Sequence, residues 1–271
     1  MGPLDRRALT ATLRQAKPFF LIAGPCVIES KELVLTVAKR LAQLQHELEI
    51  PVIFKASFDK ANRQDLQRGL EILQDVKDAT GLPVLTDVHE TAQVARVAEV
   101  VDVLQIPAFL SRQTDLVVAA AQSGRLVNMK KGQMLSVDTM LLAARKVTLT
   151  QGDDDVMLTE RGSMFGYGDL VVDARNLPKM RRAGGMVVQD VTHSVQRPSG
   201  HGGSTSAGDR SMIPTIARMA AAVGVDGFFI ETHPSPDDAL CDGPNMLPLA
   251  DLQPLVEELK AIAAASKALE R

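Results

Sequence analysis

The stretch FFLIAGPCVIESKELVLTVAKRLAQLQHEL, residues 19–48, carries the pattern on which the whole chain is built. FFLIAG is a short, unbroken apolar run, the signature of a strand buried on both faces. A Gly-Pro break ends it, and Leu33, Val37, Leu41 and Leu44 then fall on one stripe, which predicts a helix over Lys31–Leu48. The same unit recurs outward from here. VIFKAS (52–57), PVLTDV (83–88), VLQIP (103–107), LVNMK (126–130), VMLTE (156–160), MVVQDVT (186–192) and GFFIET (227–232) each precede a segment of helical character. Eight such units in 271 residues predict an α/β protein, a single-domain (β/α)8 TIM barrel over residues 1–271, with an N-terminal extension of about residues 1–17. Two small domains would also suit this length, but no linker divides the chain.

Composition narrows the function classes. Thirty basic against 33 acidic residues leave a formal charge of −3, which argues against nucleic acid or an anionic membrane as partner. No apolar run approaches the roughly 18 residues of a membrane span, and the start has no apolar signal core, so a cytoplasmic location is expected. Cys26 and Cys241 stand far apart in sequence, and in a reducing compartment they read as thiols or ligands rather than a disulfide. TQGDDDV (150–156) reads as a solvated turn. RPSGHGGSTSAGDRS (197–211) reads as a loop able to serve as a lid.

Chemistry in such a barrel sits at the C-terminal ends of the strands. The polar residues there are Cys26, Glu29, Lys55, Ser57, Lys60, Asn62, Arg63, Asp87, His89, Gln105, Lys130, Lys131, Glu160, Arg161, Asp190, His193, Glu231 and His233. Lys55, Lys60, Arg63, Lys130 and Arg161 would repel one another on one face unless anions occupy it, so a substrate with more than one anionic group is expected. Rim salt bridges to Glu160, Asp87 or Asp190 are the plainer reading for any one of them. Cys26, His193, Glu231 and Asp242 come from the first, seventh and eighth units, neighbours once the barrel closes. Thiolate, imidazole and two carboxylates suit one divalent ion such as Zn, Fe or Mn. Singly, Cys26 also reads as core filler and His193 as a hydrogen-bonded polar residue, with Cys241 a bystander able to substitute. Lys130 or Lys55 would also serve an imine-forming aldolase.

IAGPCVIES, FKASFDKANR, TDVHE, QIPAFLSRQTDL, VNMKKGQ, LTERGSMFGYGDLVVD, DVTHSVQ and ETHPSPDDALCDGPNMLPL, running in order through residues 19 to about 262, resemble the 3-deoxy-D-manno-octulosonate 8-phosphate synthase family. The resemblance implies condensation of phosphoenolpyruvate with arabinose 5-phosphate on a homotetrameric barrel, with no organic cofactor, for lipopolysaccharide or plant cell-wall sugar. The related 3-deoxy-D-arabino-heptulosonate 7-phosphate synthases, which use erythrose 4-phosphate, share AGPC and ERG but carry a Lys-Pro-Arg-Thr motif where this chain has KANR (60–63), and they lack PAFLSRQTDL. By resemblance, Cys26 marks the metal-dependent class, and Cys26, His193, Glu231 and Asp242 hold the metal. Lys55, Lys60, Gln105, Lys130 and Arg161 hold phosphoenolpyruvate. Asn62, Arg63 and, from a neighbouring subunit, Arg112 hold the sugar phosphate, with Ser57 and Asp87 near the reacting centre. Catalysis is expected at Lys60, Cys26, His193 and Asp242. After KANR the chain passes directly into QDLQRGLEIL, so the loop after the second strand is shorter than the family's.

Overall fold

Every residue of the eight strands is buried, as parallel strands covered by helices require. The computed structural model describes residues 1–58, 66–164, 168–197 and 207–269. Its barrel strands are β1 (Phe20–Gly24), β2 (Val52–Lys55), β3 (Val84–Asp87), β4 (Val103–Ile106), β5 (Leu126–Lys130), β6 (Val156–Glu160), β7 (Met186–Asp190) and β8 (Gly227–His233), with short two-residue strands outside the barrel. The barrel strands pair in chain order, all parallel, and β8 returns to β1. That closing register runs from Phe20 opposite Gly227 to Gly24 opposite Glu231. The expected single-domain barrel is the observed fold.

An N-terminal helix, α1 (Arg6–Arg14), precedes the barrel. The outer ring is α2 (Lys31–Leu48), α3 (Leu66–Thr80), α4 (Thr91–Ala98), α5 (Thr114–Gln122), α6 (Val137–Gln151), α7 (Asn176–Arg181), α8 (Ile213–Val223) and α9 (Leu249–Leu269). α2 occupies the span its periodicity predicts. Ser30 caps it by accepting the Leu33 N–H at 3.1 Å, and Val34, Val37, Ala38, Leu41, Leu44 and Leu48 are buried. No described helix is long and apolar enough to cross a membrane.

Strand alternation divides the apolar residues into two cores. Leu21, Val52, Phe54, Val84, Leu104, Val127, Leu158, Val187 and Phe228 face the helices. Phe20, Ile22, Ile53, Leu85, Val103, Leu126, Met157, Met186, Val188 and Phe229 fill the interior. Gly227 is required beside Phe20, because a Cβ there would overlap the Phe20 ring. The interior core continues downward into Leu9 and Leu13, so α1 plugs the N-terminal end of the barrel.

What fastens this plug corrects the reading of TQGDDDV as only a solvated turn. Arg6 makes a two-pronged contact with Asp153, 2.7 Å on each side, and reaches Asp155 at 3.3 Å. Arg14 donates to the Asp154 carbonyl at 3.0 Å. The bond from Arg6 holds the Asp153 carboxyl below its usual range. Two of the three carboxylates, Asp153 and Asp155, meet guanidiniums from a distant helix, while Asp154 stays exposed to solvent.

Leu13 is 2% exposed at the centre of this plug. Leu13→Ala is expected to cost about 2–5 kcal/mol, the usual range for a truncated core leucine. The loss would be read as a lower urea midpoint with anion affinity at the opposite mouth unchanged.

Candidate active site

Toward the C-terminal ends of the strands, the inward positions turn from apolar to polar. Lys55, Asp87, Gln105, Lys130, Asp190 and Glu231 form this upper layer, all buried. Beneath it, Asn128 donates to Gln105 at 2.9 Å and accepts from Thr159 at 2.6 Å, which satisfies amides lying deep in the barrel.

The charges in this layer are paired. Lys55 Nζ lies 2.5 Å from Glu231 Oε1 and donates to the Cys26 carbonyl at 2.8 Å. Lys130 pairs with Asp190 and sits over the Phe229 ring, 3.2 Å from its centroid. Arg161 donates to Gln196 Oε1 at 2.7 Å, while its Nη1 is buried without a hydrogen bond among the described residues. A buried donor in that condition is costly until a ligand accepts it.

Burial lowers the Lys130 pKa to about 8, although Asp190 opposes the shift. Burial likewise lowers that of Arg161, against the pull of Asp190 and Asp242. For Asp190 burial acts upward, but His193 and Lys130 outweigh it and hold the carboxyl well below its ordinary value.

A cavity of about 400 Å³ opens on these groups. Lys55, Ser57, Asp87, Gln105, Lys130 and Arg161 line it together with His193, Glu231 and Asp242. Closure of β1 on β8 brings the metal candidates to one wall. Asp190 receives His193 Nδ1 at 2.7 Å and turns Nε2 toward Glu231 Oε2 at 3.6 Å and Asp242 Oδ2 at 3.8 Å. Cys26 Sγ is 3.3 Å from Asp242 Oδ2. These separations approximate the edge of a tetrahedron with metal–ligand bonds of about 2.1 Å, roughly 3.4 Å.

Among the described residues two triads result, His193 with Glu231 and Asp242, and Cys26 with Cys241 and Asp242, sharing Asp242. The donor set therefore fits a divalent ion. Asp242, which joins both triads, has φ 52° and ψ 19°, a left-handed conformation that costs a non-glycine residue about 1–3 kcal/mol. Cys241, read from sequence as a bystander, stands beside the site.

Not every expected residue lines the cavity. Lys60, Asn62 and Arg63 lie outside the described residues, as does most of the 197–211 loop. Arg112 is exposed and does not line the cavity. Lys131 and Glu160 pair at 3.4 Å and are absent from its lining. Gln196 and Phe229 were missed by sequence reasoning. The signal for Phe229 was strand alternation, since it stands two residues before Glu231 on the inward face. Gln196 ends the DVTHSVQ segment and had no separate signal.

A cavity at the C-terminal mouth of a (β/α)8 barrel, lined by Lys55, Lys130 and Arg161 with an imidazole and carboxylates at one wall and Cys26 beside it, defines an enzyme acting on small anionic substrates. The chain belongs to the DAHP synthetase I family, whose profile matches residues 11–267. It is 52% identical over 267 residues to 2-dehydro-3-deoxyphosphooctonate aldolase 2 of Arabidopsis thaliana, covering 94% of this chain and 91% of the relative. It is also 52% identical to the 2-dehydro-3-deoxyphosphooctonate aldolases of Cyanothece sp. (94% and 95% covered) and Geobacter metallireducens (93% and 95% covered).

The Lys130 shift sets a pH dependence. Below about pH 8 its ammonium is present to attract anions; as pH rises through that value the charge is lost, well below the usual lysine range. Sulfate, which does not itself titrate there, is expected to bind progressively more weakly between about pH 7 and about pH 9 in calorimetric titrations. A flat profile contradicts this role for Lys130.

Proposed function

We propose that this chain condenses phosphoenolpyruvate with D-arabinose 5-phosphate and water, giving 3-deoxy-D-manno-octulosonate 8-phosphate and inorganic phosphate. The observation that carries the reading is the 52% identity, over nearly the full length of both chains, to enzymes named 2-dehydro-3-deoxyphosphooctonate aldolase. The chemistry of the cavity supports it. Lys55, Lys130 and Arg161 offer two point charges and one planar fork to the carboxylate and phosphate of phosphoenolpyruvate. The buried, unbonded Arg161 Nη1 is the donor that such an anion would satisfy. Gln105, Ser57 and Asp87 line the same cavity, and Ser57 and Asp87 are assigned to the surroundings of the reacting centre.

The reaction joins C3 of phosphoenolpyruvate to the aldehyde carbon of the sugar, while water adds at C2. Phosphate then departs with cleavage of its C–O bond to C2. Charge develops as cation at C2 and as alkoxide on the former aldehyde oxygen. Asp190 and Glu231 pair with the resident lysines, which makes two buried ammonium groups tolerable before the anionic substrates arrive. Lys60 is assigned to protonate the alkoxide, Asn62 and Arg63 to hold the sugar phosphate, and Arg112 to reach the cavity of a neighbouring subunit in a homotetramer. Cys26, His193, Glu231 and Asp242 would hold a divalent ion, Zn, Fe or Mn, which would supply Lewis acidity toward the sugar aldehyde or a water. Cys26, His193 and Asp242 thereby join Lys60 as the catalytic set of a metal-dependent, cytoplasmic enzyme of lipopolysaccharide core sugar synthesis.

The family's name also raises the shorter-sugar reaction with erythrose 4-phosphate. Phosphate release from phosphoenolpyruvate decides between them: arabinose 5-phosphate is expected to outperform erythrose 4-phosphate by at least about tenfold, a difference of roughly 1.4 kcal/mol in transition-state binding. The reverse preference favours the alternative, and release with neither sugar rejects both. Arg161→Ala is expected to raise the KM for phosphoenolpyruvate about 10- to 100-fold, as loss of a charged hydrogen-bond donor predicts. Cys26→Ser should lower bound metal, by elemental analysis, and turnover together. Full turnover in the metal-stripped variant would exclude a catalytic metal.

A further inference from the structure

Lys131 and Glu160 are each fully buried, yet neither lines the cavity. They follow or end the two strands that deliver its cations: Lys131 comes directly after Lys130 on β5, and Glu160 comes directly before Arg161 on β6. A buried ion pair is weak evidence of stabilisation, since desolvation of both charges opposes their attraction. Its contacts indicate another role.

Glu160 Oε1 accepts the backbone N–H groups of Arg161 at 3.0 Å and Gly162 at 2.7 Å, while Oε2 accepts from Asn176 Nδ2 at 2.9 Å. Lys131 Nζ lies 3.4 Å from Glu160 Oε1 and donates to Ser163 Oγ at 3.0 Å and to the carbonyls of Gly132 and Leu135 at 3.3 Å. One carboxylate thus grips the turn that begins at Arg161, and one ammonium ties that turn to the loop after β5. Gly162 takes φ +92° in this turn, a conformation that suits glycine, and a Cβ there would come within 3.0 Å of Leu170 Cβ.

We infer that Glu160 and Lys131 are positioning residues: a charged buckle behind the barrel wall that fixes the spacing between Lys130 and Arg161, and through it the affinity of the cavity for the phosphate-bearing substrate. Neither touches that substrate. Identifying the substrate as phosphoenolpyruvate rests on the proposed function; the geometric claim concerns any tetrahedral anion held between the two cations.

Charge and position make opposite forecasts here. Glu160→Gln removes a negative charge near two cations, so electrostatics alone would tighten anion binding. Loss of the buckle would weaken it, because an amide cannot grip Arg161, Gly162, Asn176 and Lys131 together.

The test measures sulfate and phosphoenolpyruvate binding to the whole protein by calorimetry, with steady-state kinetics, for wild type, Glu160→Gln and the milder Asn176→Ala. Glu160→Gln is expected to weaken both anions about tenfold, to raise the KM for phosphoenolpyruvate in proportion, and to leave kcat and the KM for the sugar phosphate within about threefold. Asn176→Ala should shift the same quantities in the same direction by a smaller factor, and it carries the test if Glu160→Gln does not fold. Unchanged or tighter sulfate binding in a folded variant overturns the inference, as does an equal rise in KM for both substrates. Wild type that binds sulfate but not phosphoenolpyruvate rejects the proposed substrate, while the sulfate comparison still decides the buckle.

Discussion

Closure of β1 onto β8 is the constraint on which the remaining structure depends. Two strands more than 200 positions apart lie in register from Phe20 opposite Gly227 to Gly24 opposite Glu231. This junction removes the last free edge of the sheet and brings Cys26, just beyond β1, beside Glu231 and Asp242. Its tightness rests on a missing side chain: Gly227 leaves room for the Phe20 ring, and Phe20 helps fill the floor of the barrel. The interior core and the reactive wall therefore share one seam.

Above that core the barrel holds charges that an apolar interior would reject singly. They are admissible because each finds its opposite or an aromatic face: Lys55 with Glu231, and Lys130 with Asp190 and Phe229. Asp190 performs two tasks, balancing Lys130 and fixing the His193 ring toward the carboxylates. Cationic and metal-ready halves of the site are coupled through this aspartate and again through the Lys55–Glu231 pair. The opposite end needs no chemistry and is sealed instead by α1, whose leucines extend the interior core and whose arginines engage the acidic turn after α6.

Much of this was legible along the chain. Unbroken apolar runs alternating with a helical stripe gave the barrel, because a strand buried on both faces cannot afford polar residues until it reaches the mouth. Polar residues at the ends of those runs then named Lys55, Asp87, Gln105, Lys130, Arg161, His193 and Glu231 as cavity residues. Less was legible where the deciding partner is distant in sequence. The acidic run 153–155 looks solvated until Arg6 and Arg14 arrive from more than 100 residues away. Lys130 and Lys131 are indistinguishable as neighbours in a string, yet alternation sends one amine into the cavity and the other to Glu160 behind the wall.

By itself, then, the sequence determined the periodicities and hence the fold, together with the residue types available at the catalytic mouth, because these depend on local patterning and on the fixed rule that barrel chemistry lies at strand C-termini. Only the tertiary structure decided which charges pair, that Cys241 stands beside Cys26 and Asp242, that Asp242 is held left-handed, and that Glu160 grips a turn rather than a ligand. Those outcomes are set by distances from 2.5 Å to under 4.8 Å between groups brought together by closure, and a linear order of residues does not contain such distances.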